Sequence, residues 1–394
     1  MSPQLPRAAR MAQIEAFQVM EVQRRAMELE REGRSIIHME IGQPDFGAPP
    51  SVLKAAVTAI EREALGYTAA LGLPALRTTI SNFYRDRYGV QLDAERVIVT
   101  AGASGAFMLA LGALVDPGAE VLMPDPCYPC NRNFVRLFGG IARCIPVDES
   151  QAYQLSAHDV QSNWNERTRG VMVATPSNPT GSTLSPSQLR DIARVTAERG
   201  GFLLVDEIYQ GLQYGSAIHT ALEVSDQIYV VNSFSKYFGM TGWRLGWLIA
   251  PQDAIRDIER LAQNVFISVS TPAQYAALAA FEPETLEVFE ARRQEFEKRR
   301  SFLLPRLKAL GFRIPIDPDG AFYVYAGCES FDPDSRHFAL RLLEEAGVAL
   351  TPGADFGTAG TERHVRIAYT RPIGELDEGL RRMEAFLKSN VDAK

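Results

Sequence analysis

Cysteine is scarce. Four residues, Cys127, Cys130, Cys144 and Cys328, are too few to brace 394 residues with disulfides. Cys127 and Cys130 have the spacing of half a zinc site. No second pair and no neighbouring histidine completes four ligands, so no metal is expected. The plainer reading is two small residues lining a loop. The five histidines (His38, His158, His219, His337, His364) fit no catalytic grouping and are expected at the surface or in loops. No run reaches the ~20 apolar residues that a membrane span needs. Residues 1–10 lack the apolar core of a secretory leader. No membrane partner is expected, and a cytoplasmic location is the default. An excess of positive charge is also missing. Against 48 acidic residues stand 41 basic ones, a net charge of −7, so no nucleic-acid partner is expected. The one basic cluster, Arg292, Arg293, Lys298, Arg299 and Arg300, is interleaved with Glu290, Glu295 and Glu297 and reads as a solvated helix face.

What is present is ordinary globular composition, 46% hydrophobic and 23% charged. The length suits a large domain plus a smaller one. Short apolar runs at 96–100, 120–123, 170–174, 202–205, 228–231 and 246–250 read as strands. Helical segments lie between them, such as 107–114 and 185–199. Ser185 and Gln188 have capping-box spacing at the start of the second. Runs apolar at every position suit strands covered on both faces. The expected fold is therefore α/β, a mostly parallel sheet flanked by helices. The two ends differ. Long polar helices are predicted at ~10–33 and ~284–310, short strands at 320–325 and 364–368, and helices at 335–346 and 373–389. They are expected to join into a smaller α+β domain, 1–47 plus 286–394, beside a large domain at 48–285.

Four segments carry chemistry. The first is Ser233-Phe234-Ser235-Lys236, followed by Thr241-Gly242-Trp243-Arg244-Leu245-Gly246. A lysine after a buried strand loses hydration, its pKa falls, and its amine becomes a nucleophile towards an aldehyde. Ser233, Ser235 and Arg244 suit a phosphate, because the arginine fork matches phosphate oxygens. Alone, such a lysine is more often a surface residue. In the second, Asp206 follows an apolar strand, at the edge where open α/β sheets bind ligands. A carboxylate there can keep a cofactor ring nitrogen protonated, or simply cap a helix. The third is Asn178-Pro179-Thr180-Gly181, first of all a turn, placed so that the Asn178 amide can reach a ligand. The fourth is Thr100-Ala101-Gly102-Ala103-Ser104-Gly105, a strand-to-helix turn whose free N–H groups suit an anion, or which serves close packing.

Taken together and in order, these segments resemble the class I/II aminotransferases of the fold-type-I pyridoxal-phosphate enzymes, over roughly residues 41–366. The resemblance implies pyridoxal 5'-phosphate as cofactor and a ping-pong exchange of an amino group between an L-amino acid and a 2-oxo acid through a Lys236 aldimine. It also implies that Lys236 moves the proton and that Asp206 pairs with the ring nitrogen. Tyr209 and Asn178 would hold the ring hydroxyl oxygen, and Tyr128 would stack on the ring. Gly102, Ala103, Ser104, Ser233, Ser235 and Arg244 would hold the phosphate. Arg366 and Gly42 would bind the substrate carboxylate, and Asn178 would also contact the substrate. Tyr67 resembles the tyrosine given to a neighbouring subunit, which implies a homodimer with shared active sites. The chain departs from the family pattern at Ser104, where many aspartate-using relatives carry a lysine for a second carboxylate; that counts against aspartate. A carbon–sulfur β-lyase on the same fold is the alternative. A DNA-binding regulator would need a basic helix-turn-helix module, which the N-terminal region lacks. A non-catalytic relative would be expected to lack Lys236 or Asp206.

Overall fold

The computed structural model describes residues 7–215 and 217–391. Twelve strands occur in chain order: β1 (Ile37–His38), β2 (Val97–Thr100), β3 (Glu120–Asp125), β4 (Ile141–Pro146), β5 (Thr168–Ala174), β6 (Phe202–Asp206), β7 (Tyr229–Ser233), β8 (Gly246–Ile249), β9 (Tyr323–Gly327), β10 (Val348–Ala349), β11 (Thr351–Pro352) and β12 (His364–Ala368). Seven form one sheet in the order β2-β8-β7-β6-β5-β3-β4. It is mostly parallel, as expected. Only β8 runs antiparallel, pairing with β2 on one side and β7 on the other. Every residue of β6, β7 and β8 is buried, as their unbroken apolar runs require of strands covered on both faces. β4 had no sequence signal. It is the edge strand, its first four residues alternate between exposed and half-buried, and its Arg143 and Cys144 break any apolar run.

The helix Pro186–Glu198 starts with the predicted capping box between Ser185 and Gln188. Three other boundaries moved for physical reasons. The N-terminal helix α1 spans Gln18–Arg31 rather than ~10–33. Its first N–H groups, those of Gln18 and Val19, donate to the Asp355 carboxylate at 3.1 and 3.3 Å. That cap comes from the far end of the chain and leaves no local trace. β9 begins at Tyr323, not 320, because Gly320 bridges to Gln213 and Ala321 has φ +57°. The segment 335–346 is helical from Ser335 to Arg341 and then widens into one π-type turn, Leu342–Ala346.

Both chain ends pack around two small sheets, β1-β10 and β11-β12-β9, with α1 and the helices Pro283–Ala309 and Ile373–Val391. Two expectations need correction. His364 is not a loop residue: it is buried in β12 with its ring stacked on Tyr325, centroids 4.5 Å apart. Cys130 does not line a loop but lies in the helix Pro129–Leu137, and the Cys127 thiol meets Cys144 instead. No described helix is long and apolar enough to cross a membrane.

Candidate active site

Three parallel strands deliver their loops to one edge. Ala174 of β5 lies beside Asp206 of β6, and Asp206 beside Val231 of β7. Asn178 follows the first strand, Asp206 and Tyr209 end the second, and Ser235 and Lys236 follow the third. Because β8 runs the other way, its first residue, Gly246, pairs with Thr100 at the end of β2. This brings Arg244 against the helix Gly102–Leu114. A Cβ at Gly102 would sit 2.6 Å from the Arg244 Nη2, so the cradle needs glycine there. Gly102 also has φ +70°, which glycine adopts without strain. The segment carrying Lys236 is anchored from behind by aromatic packing. Phe234 meets Trp247 edge-on at 5.0 Å, and the buried Trp247 Nε1 donates to the Tyr84 hydroxyl.

A cavity of about 260 Å³ opens at this edge. The Lys236 Nζ donates to the Gly42 carbonyl at 2.6 Å, lies 5.7 Å from the Tyr209 ring centroid, and has no ion-pair partner among the described residues. Burial, then the charges of Arg366 and Arg244, lower its pKa to about 8, while Asp206 opposes the shift. About half of such an amine is neutral and nucleophilic at that pH. Asp206 is 4% exposed and accepts the Ile208 N–H at 3.0 Å. Burial raises its pKa to about 7, against that hydrogen bond and Lys236. A cationic ring nitrogen beside it would restore the ionised form.

Arg366 is buried on β12 and fixed at several points. Its Nη1 donates to Asn178 Oδ1 at 3.0 Å, and its Nη2 to the Glu40 carbonyl at 2.5 Å and Thr351 Oγ1 at 3.1 Å. Its guanidinium lies 4.2 Å over the Tyr323 ring, and its Nε is buried without a partner. Tyr209 and Tyr323 share a hydroxyl–hydroxyl bond of 2.8 Å. A Cβ at residue 42 would lie 1.8 Å from the Tyr323 hydroxyl, so only glycine fits. At the opposite end, the helix Gly102–Leu114 has no side-chain cap, and its first N–H groups are left for an anion. Ala103, Ser104, Ser235 and Arg244 line the cavity there, and the Arg244 Nη1 lies 3.4 Å from Ser235 Oγ.

Three predicted residues are not among those that line the cavity: Gly102, packed against Arg244, and Ser233 and Tyr67. Ser233 lies behind the cavity lining, where its hydroxyl donates to Ser235 Oγ at 3.0 Å. Tyr67 is 83% exposed and outside the cavity. Sequence reasoning missed Tyr323, Phe17, Val19 and Met20, all of which line it. Phe17 meets Tyr128 edge-on, ring centroids 5.8 Å apart. These residues come from the two ends of the chain, and only their meeting in space marks them.

The sequence matches the model of the family "Aminotransferase class I and II" over residues 34–383. The chain belongs to the class I and II aminotransferases. It is 39% identical to a valine–pyruvate aminotransferase of Mycobacterium tuberculosis, over 97% of this chain and 99% of the relative. It is 36% identical to a (5-formylfuran-3-yl)methyl phosphate transaminase of Methanocaldococcus jannaschii, over 96% and 98%. A crystal structure of an aminotransferase from M. tuberculosis superposes with a TM-score of 0.95 at 39% identity, covering 98% of this chain and all of that one. The protein is an aminotransferase, dependent on pyridoxal phosphate, acting on amino acids and oxo acids; the relatives favour this over a lyase. The residues present fit the cofactor. The cavity offers an amine without a counter-ion among the described residues for an aldehyde, a cationic cradle at Arg244 for a phosphate, and a buried carboxylate able to face a ring cation.

Proposed function

We propose that this cavity exchanges an amino group between an L-amino acid and a 2-oxo acid by a ping-pong route, with Lys236 as the covalent anchor and proton carrier. The observation that carries the proposal is the position of the Lys236 amine: without an ion-pair partner among the described residues, depressed to about 8, and in one cavity with Asp206 and Arg366. Bound pyridoxal phosphate supplies an electron-withdrawing ring that stabilises negative charge at the substrate Cα. The protein does the rest. Asp206 would hold the ring nitrogen protonated. Tyr209 and Asn178 would hydrogen-bond the ring hydroxyl oxygen, and Tyr128 would pack on the ring face. The N–H groups of Gly102, Ala103 and Ser104, with Ser235 and Arg244, hold the phosphate, and Ser233 orients Ser235. Arg366 grips the substrate carboxylate, with Gly42 beside it. With the cofactor bound, Lys236 would hold and move the Cα proton on its Nζ.

The exposed Tyr67 supports a homodimer in which it serves the neighbouring phosphate. The polar surface and net charge of −7 support a cytoplasmic enzyme of amino-acid metabolism. The sheet assignments support a large domain at 48–285 and a small one at 1–47 plus 286–394. The test is to mix the holoenzyme with single amino acids, with and without an oxo-acid acceptor. The proposal predicts one oxo acid per active site without acceptor and continuous turnover with it. Steady pyruvate and ammonia release from cysteine-type substrates without acceptor would identify a β-lyase.

A further inference from the structure

We propose that helix α1 is the receptor for the substrate's side chain and that it selects uncharged, apolar amino donors. The inference rests on the catalytic reading above. That reading commits every charged group that lines the cavity among the described residues: Lys236 to the cofactor, Arg244 to its phosphate, Arg366 to the substrate carboxylate and Asp206 to the ring nitrogen. Of the lining that remains, Phe17, Val19, Met20 and Ile41 are apolar, and Gln43 beside them is neutral. Gln23, the one polar side chain that α1 contributes, is neutral. Met20 is 56% exposed at the mouth, apolar surface that a substrate chain would cover. A distal carboxylate placed there would lose hydration and gain no counter-charge from this chain's lining, which is costly. Arg132, outside the lining, is buried and its Nη2 donates to the Asp355 carbonyl at 3.0 Å.

The wall is held in place. The Asp355 carboxylate takes the N–H groups of Gln18 and Val19, and Phe17 packs edge-on against Tyr128. Asp355 closes the short turn Gly353–Asp355 directly after β11, whose Thr351 bonds Arg366. The side-chain wall and the carboxylate clamp therefore share one support, and the distance between them is set by the fold.

The test is a homologous donor series with the holoenzyme: alanine, 2-aminobutyrate and norvaline, against aspartate and glutamate. Single-turnover kcat/KM should rise roughly fourfold per methylene, and both acidic donors should fall below alanine. The same order should appear without chemistry, as calorimetric affinity of propanoate, butanoate and pentanoate against succinate. Phe17→Ala and Met20→Ala should flatten the slope, Met20→Leu should keep it, and Met20→Arg should favour aspartate. Aspartate reacting as well as norvaline, with succinate binding as tightly as pentanoate, would overturn the apolar receptor. So would a slope unchanged in Phe17→Ala. Failure of the catalytic reading looks different: no amino acid, apolar or acidic, would bleach the cofactor's visible band.

Discussion

Replacing Arg366 by lysine keeps the charge and removes the fork, which isolates what the fork contributes. The guanidinium makes three hydrogen bonds, to Asn178, Glu40 and Thr351, and lies over Tyr323. It is 3% exposed, so water cannot replace a lost partner. A lysine ammonium can neither match a carboxylate bidentately nor keep its supports at the same time. Two charge-assisted bonds at about 1.5–3 kcal/mol each are at stake, and the ammonium retains about one. The net loss, about 1.5–3 kcal/mol, corresponds to a fall of roughly 13- to 160-fold in kcat/KM. The carboxylate is held alike before and during the reaction, so most of the fall should appear as a higher KM. Half-reactions with a good donor, followed by the cofactor's visible absorbance, measure this. Cofactor content should be unchanged, because Arg366 lies away from the phosphate cradle. Arg366→Lys within threefold of the parent enzyme, or losing its cofactor, would refute the assignment.

Burial raises the Asp206 pKa from 3.8 to about 7, so the folded apo chain holds that proton more tightly than the unfolded one. Its contribution to stability is complete below about pH 4 and is lost as pH rises towards 7. Asp206→Asn should abolish that part of the decline in urea-midpoint profiles of the apo chain. The Lys236 amine is depressed to about 8, so cofactor attachment to the apo chain should accelerate with pH and level off above that value in stopped-flow absorbance. Asp355→Ala removes the cap on α1 and should cost about 1 kcal/mol locally. Amide exchange should quicken over residues 18–23, with KM for apolar donors rising more than kcat falls.

Much of this site was legible in the sequence because its chemistry sits on strand ends. Asp206, Asn178 and Lys236 each follow a short apolar run, and a parallel sheet brings such ends together. The Gly102 turn was legible for the same reason, since a strand enters it and a helix leaves it. Arg244 needed one further fact, the reversed direction of β8. What stayed hidden depends on contacts between distant segments. Asp355 caps α1 across more than three hundred residues, and Tyr323 reaches Tyr209 from a different sheet. Phe17, Val19 and Met20 look like any apolar face of a polar helix until that helix is seen over the cavity. The edge strand β4 was invisible because solvent, not a second layer, covers much of it.

The most direct test of the whole account is to reduce the purified holoenzyme with borohydride, digest it and locate the cofactor by peptide mass spectrometry. The account predicts the added mass on the peptide containing Lys236, and none in Lys236→Ala. A cofactor found on Lys54, Lys298, Lys308 or Lys388 instead, or one retained equally by Lys236→Ala, would contradict it.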